Sequence, residues 1–252
     1  MKTILFSTTF LLLIAICTFN SCSSSDGENP DQIKQLKTTV ISELKPLDKA
    51  FVALKSHVLG KELFPVGTLD SSLKLNFQTD FYASNGALIQ NVDVYYITEF
   101  QGNSESGVFI PYQHPYENTK NYVSHSTEAN LVTLKEQSQS LKQLNYVVLL
   151  DFKELILPKA TSDSEYEMGL ATVAYQLIDL RKQQVLKEGV FSITSEDHVE
   201  YRHYETADAS KKTEDMQGSL NLQYSVLIGE KLAEELKKSC ILENKVPFPV
   251  MR

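Results

Sequence analysis

The chain has 252 residues, with 24 Lys and Arg against 32 Asp and Glu, and a formal net charge of −8. A surface of that sign repels phosphate, which argues against nucleic acid and anionic lipid headgroups as partners. The absence of tryptophan excludes a stacked-Trp sugar platform, and the length suits one large domain or two small ones.

Lys2 and the amino terminus precede an apolar run from Ile4 to Ile16, broken only by Ser7, Thr8 and Thr9. That pattern reads as a secretory signal. It is shorter than the ~20 apolar residues a membrane span needs. Beyond it stands Cys22, followed by Ser23, Ser24, Ser25, Asp26, Gly27 and Glu28. Phe19-Asn20-Ser21-Cys22 resembles a bacterial lipobox, with Ser21 as the small residue before the cut. Phe19 and Asn20 stand where Leu and Ala or Ser are usual. The Ser-rich acidic residues after the cysteine resemble the surface-export signal of Bacteroidota lipoproteins. The resemblance implies cleavage before Cys22, lipid on Cys22 and an outer-membrane location on either the periplasmic or the outer face. Cys17, behind bulky Ile16, is the competing site. With Cys17 removed and Cys22 lipidated, Cys240 alone remains, so no internal disulfide is expected. Cys240 is expected to pack as a small apolar residue near a helix end.

The expected layout is a signal peptide over 1–21, a flexible tether over 22–32 and a globular domain over 33–252. A candidate sub-boundary lies near 127–145. The tether from Ser23 on has nothing apolar to bury, and as a flexible coil it spans roughly 17–19 Å.

Ile33, Leu36, Val40, Leu44, Leu47, Phe51, Leu54 and Val58 recur three or four apart, which predicts a helix over 31–60. Pro46 should kink or break it near Lys45, and Gly60 should cap its end. The period then changes to two at Leu73, Leu75, Phe77, Thr79 and Phe81, and Asn85-Gly86 signals a hairpin with a return strand over 89–100. Residues 101–127 read as a long loop bearing Tyr112, His114, Tyr116, Tyr122 and His125, and loops of that length often carry function. A helix is expected over 127–144 and a strand over 145–157. The consecutive apolar residues Val147–Leu150 predict a strand covered on both faces. A long hairpin follows, turning at Arg181-Lys182-Gln183-Gln184. Residues 195–217 look like a polar loop, 219–239 like an amphipathic helix, and the Pro-containing tail like extended chain. Helix, hairpin, helix, strand, hairpin, helix is an α+β order: a mostly antiparallel sheet with amphipathic helices packed on it.

Three stretches carry a second resemblance: "YVVLLDFKEL", "ATVAYQLIDLRKQQVLKEGVF" and "LIGEKLAEELKK". Residues 145–239 are similar to the small α+β domain of envelope lipoproteins, including the TolB amino-terminal domain and the ABC-transport auxiliary lipoproteins. Tyr175, Leu177, Asp179, Val185 and Gly189 match the pattern of the hairpin in those families. The resemblance implies a strand, a hairpin and a helix packed across the sheet. It further implies a domain that docks to other proteins without an active site.

No P-loop, GxGxxG, CxxC, HExxH or GxSxG motif occurs. His198 and His203 are five apart, a spacing that turns them away from each other on a strand or a helix. Asp163–Gly169 begins like a calcium loop, but its glycine stands seventh and Ala174 fills the twelfth place. The expectation is therefore a lipid-anchored envelope accessory without catalytic residues, cofactor or metal. It would bind an envelope protein and no nucleic acid. The alternative is a surface glycan or peptide binder using the loop 109–125, through Tyr112, His114, Tyr116 and Tyr122.

Overall fold

The computed structural model describes residues 30–77, 85–94, 142–196 and 208–247. The signal peptide, Cys22, the tyrosine-bearing loop, His198, His203 and nearly all of the expected 127–144 helix lie outside these residues.

Helix α1 runs over Pro30–Val58, so residues 30–32 are already helical. Val40, Leu47, Phe51 and Leu54 of the expected stripe are buried. The helix does not break at Pro46, which lies inside it. Proline removes the donor that Ser42 would otherwise accept from. Both Ser42 and Pro46 are exposed, so water can take up that carbonyl. Gly60 ends the helix at φ +67°, donating to His57 O at 2.9 Å while Lys61 N–H reaches Ser56 O at 2.9 Å. Glycine adopts that left-handed conformation without Cβ strain.

Strand β1, Lys74–Leu75, and strand β2, Gly86–Gln90, do not form the expected hairpin. β2 pairs in parallel with β3, Tyr146–Ile156. β1 pairs in parallel with a strand near the C-terminus, β8, Ile241–Leu242. Asn85 is a junction instead of a turn tip. Its Oδ1 accepts from Asn76 N–H at 2.9 Å, its Nδ2 donates to Lys74 O at 2.8 Å, and its carbonyl accepts from Asn145 and Tyr146 N–H, both at 2.9 Å. The return strand expected to Phe100 stops at Gln90, where a helical turn, α2, Asn91–Val94, takes over.

β3 is central, as its apolar run predicted. The main sheet has the order β2-β3-β6-β7, with β6 at Leu170–Asp179 and β7 at Gln184–Thr194. β3–β6 and β6–β7 are antiparallel, and the turn at Gln183 has φ 55°. A small ribbon, β4 (Lys159–Ala160) with β5 (Tyr166–Glu167), occupies the stretch that began like a calcium loop. Side chains alternate across the sheet. Val147, Leu149, Ile178 and Val185 join α1 in one core. Val148, Leu150, Val173, Tyr175, Leu177 and Phe191 join the last helix in the other.

That helix, α3, covers Ala209–Lys237. It starts ten residues before the expected position, within the stretch read as loop. Asp208 caps it by accepting from Lys211 N–H at 2.8 Å. Met216, Leu220, Tyr224, Ile228, Leu232 and Leu236 form its buried stripe. Cys240 follows, buried, its thiol donating to Leu236 O at 3.2 Å. The fold is α+β, a mixed and mostly antiparallel sheet with a helix on each face.

Candidate functional site

Among the described residues, α1 packs on the Val147, Leu149, Ile178 and Val185 end of its face of the sheet. A groove of about 420 Å³ opens, among the described residues, where the helix end, the segment after it and the sheet meet. Its floor comes from Leu149, Asp151, Lys153, Ala174, Gln176, Glu188 and Val190, and its wall from His57, Val58, Leu63 and Asn91. The register explains the floor: Leu149 lies opposite Gln176 and Asp151 opposite Ala174, while Glu188 lies opposite Gln176 and Val190 opposite Ala174.

A directed chain of hydrogen bonds crosses this floor. Phe64 N–H donates to His57 Nδ1 at 3.0 Å. That acceptor role puts the imidazole proton on Nε2, which donates to Gln176 Oε1 at 3.0 Å. The Gln176 amide then donates from Nε2 to Glu188 Oε2 at 3.4 Å. His57 is buried and stacks on Phe64 with ring centroids 4.6 Å apart. Both ring nitrogens are engaged, so His57 locks the segment after α1 onto the sheet and has no free nitrogen to act as a base.

The remaining polar groups are mostly acceptors. Lys153 pairs with Asp151, and among the described residues Glu188 has no cationic partner. Asn91 Oδ1 is buried and accepts no hydrogen bond from any described residue. An acceptor left so costs about 1–3 kcal/mol. The rim is apolar: Leu63 is 73% and Val190 64% exposed.

Cys240 lies in the core on the opposite face. Burial pushes its thiol above the usual value, although Lys187 works the other way. A protonated, enclosed thiol is a poor nucleophile. Among the described residues no group of His, Cys, Asp and Glu could hold a metal ion, and no helix is long and apolar enough to cross a membrane.

The residues expected to form a binding surface, Tyr112, His114, Tyr116 and Tyr122, lie outside the described residues, as does the lipidation candidate Cys22. The groove was missed in the sequence because its relay joins residues 119 positions apart. One signal was present: His57 falls on the apolar stripe, three residues beyond Leu54.

No family model matches the chain, and no curated protein matches it. Among solved structures, the crystal structure of a Xanthomonas campestris protein, of the family model DUF330, aligns at 10% identity with a TM-score of 0.22. The alignment covers 69% of this chain and 99% of that one. A likeness of that size carries no argument about function.

Proposed function

We propose that this protein is a lipid-anchored, non-catalytic accessory of the cell envelope that binds another protein. The observation that carries the binding half is the groove: an open, acceptor-rich floor with exposed Leu63 and Val190 at its rim. Apolar side chains exposed around a concavity are a mark of interaction surfaces. The sheet beneath is held by two cores, so the surface is preorganised. The engaged His57 and the enclosed Cys240 support a non-catalytic role. The anchoring half rests on the lipobox resemblance at Phe19–Cys22. The strand, hairpin and helix over 145–239 follow the order that the envelope-lipoprotein resemblance implies.

The test has two parts. Intact mass of the protein from its own membrane should show a chain beginning at Cys22 with a lipid-sized increment, lost in Cys22→Ala. Photo-crosslinkers placed at Leu63 and Val190 in cells should capture a discrete protein. An unmodified chain cut elsewhere would remove the anchor. A protein that crosslinks to nothing and turns over a substrate would remove the accessory role.

A further inference from the structure

We propose that the groove between the end of α1 and the sheet recognises a Lys or Arg side chain, presented by the partner between apolar residues. This rests on the partner-binding reading and specifies its chemistry. Three features point the same way. The groove holds two carboxylates, Asp151 and Glu188, against one cation, Lys153, which Asp151 already engages. Glu188 is exposed and receives one long hydrogen bond. The ligand must therefore supply donors and positive charge, which ammonium and guanidinium groups do and carboxylate, phosphate or an uncharged aliphatic group do not. The third feature is the rim. The exposed methyl groups of Leu63 and Val190 suit the aliphatic stem of a long basic side chain and its apolar neighbours.

The hydrogen-bond chain adds to this. Every link from Phe64 through His57 and Gln176 donates toward Glu188. It therefore fixes the Gln176 amide with its donor end toward the carboxylate. Glu188 is held by that donor within the groove, with its charge open to solvent on the other side. A net charge of −8 over the chain adds long-range attraction for a basic partner, sensitive to salt.

The probe is an acetylated, amidated pentapeptide, Ala-Leu-Arg-Leu-Ala, titrated into the isotopically labelled protein and followed by amide shifts. Its controls carry Gln or Glu in place of Arg. The expected result is saturable binding of the Arg peptide, with shifts confined to residues around Gln176, Glu188 and Asn91. Affinity should be at least 5-fold weaker for the Gln peptide and undetectable for the Glu peptide. Glu188→Gln, which keeps the shape and the hydrogen-bonding reach, should weaken the Arg peptide by a similar factor, and raised salt should do the same. Equal binding of the Arg and Gln peptides, indifference to Glu188→Gln, or no saturable binding would each overturn the proposal. The crosslinking experiment separates this from the wider reading. Capture from Leu222, on the exposed side of α3, without capture from Val190 would keep a protein partner and discard the groove.

Discussion

At position 189 only a hydrogen leaves room for the ring of Tyr175. A Cβ built there would lie 2.7 Å from Cε1 and 2.9 Å from Cζ and Oη of that ring. The ring cannot withdraw, because Tyr175 is 2% exposed and lies against Phe191, centroids 6.2 Å apart. Gly189→Ala should therefore cost about 1–3 kcal/mol in denaturant unfolding, the usual penalty for overpacking. In a Tyr175→Leu background the same alanine should cost distinctly less, since residues in contact are coupled. Strict additivity of the two changes would show that the close approach is not what selects glycine. Asp179 has a comparably local role. Its Oδ1 accepts from Lys182 N–H at 2.9 Å and so shapes the hairpin turn. Gly189 and Asp179 are thus accounted for by packing and turn geometry.

Among the elements, α3 shows what a cap contributes. Asp208→Ala should lower stability by about 1 kcal/mol, read as a drop in melting temperature, whereas Asp208→Ser should recover most of it. No difference between alanine and serine would mean the cap contributes nothing. The first turns of α3 escaped the sequence reading because they carry charge. Lys211 instead bridges Glu214 at 3.1 Å and Asp215 at 3.0 Å on the solvated side, and Met216 with Leu220 already begins the buried stripe. The β6–β7 hairpin and central β3 were legible because their alternation, or its absence, reports directly which faces are covered. β1 and β2 were not. Asn-Gly is a local turn signal, while the pairing of β2 with β3 and of β1 with β8 is set by contacts distant in sequence. The groove was illegible for the same reason, since it draws on α1, β3, β6 and β7 together.

For the whole molecule, the sheet separates two apolar cores, and the one under α3 encloses two tyrosines. Burial pushes Tyr175 and Tyr224 each up to about 12, with Glu235 and Cys240 adding to the shift at Tyr175. An unfolded tyrosine titrates near 10. Below that pH both states are protonated and the contribution of burial is fully present. From about pH 10 to 12 the unfolded chain loses protons that the folded one retains, so stability falls as pH rises. Each tyrosine contributes up to about 1.4 kcal/mol per pH unit. Denaturant midpoints measured across this window should fall steeply, and less so in Tyr175→Phe and Tyr224→Phe. Tyr224→Phe should also be neutral or stabilising at pH 7, because its buried hydroxyl has no hydrogen-bond partner among the described residues. A slope unchanged by either substitution would place the alkaline sensitivity elsewhere.

The junction at Asn85 has a chemical side as well. Asparagine before glycine is the pair most prone to deamidate, because the unhindered glycine nitrogen attacks the side-chain carbonyl and closes a succinimide. Here the side-chain amide is held at both ends, and Gly86 N–H is itself directed to Asn76 O at 3.3 Å. The contacts that gather three segments of chain thus also hold back ageing at this bond. Each unfolding excursion releases them, so isoaspartate at residue 85 would accumulate as a record of how often this part of the molecule has opened.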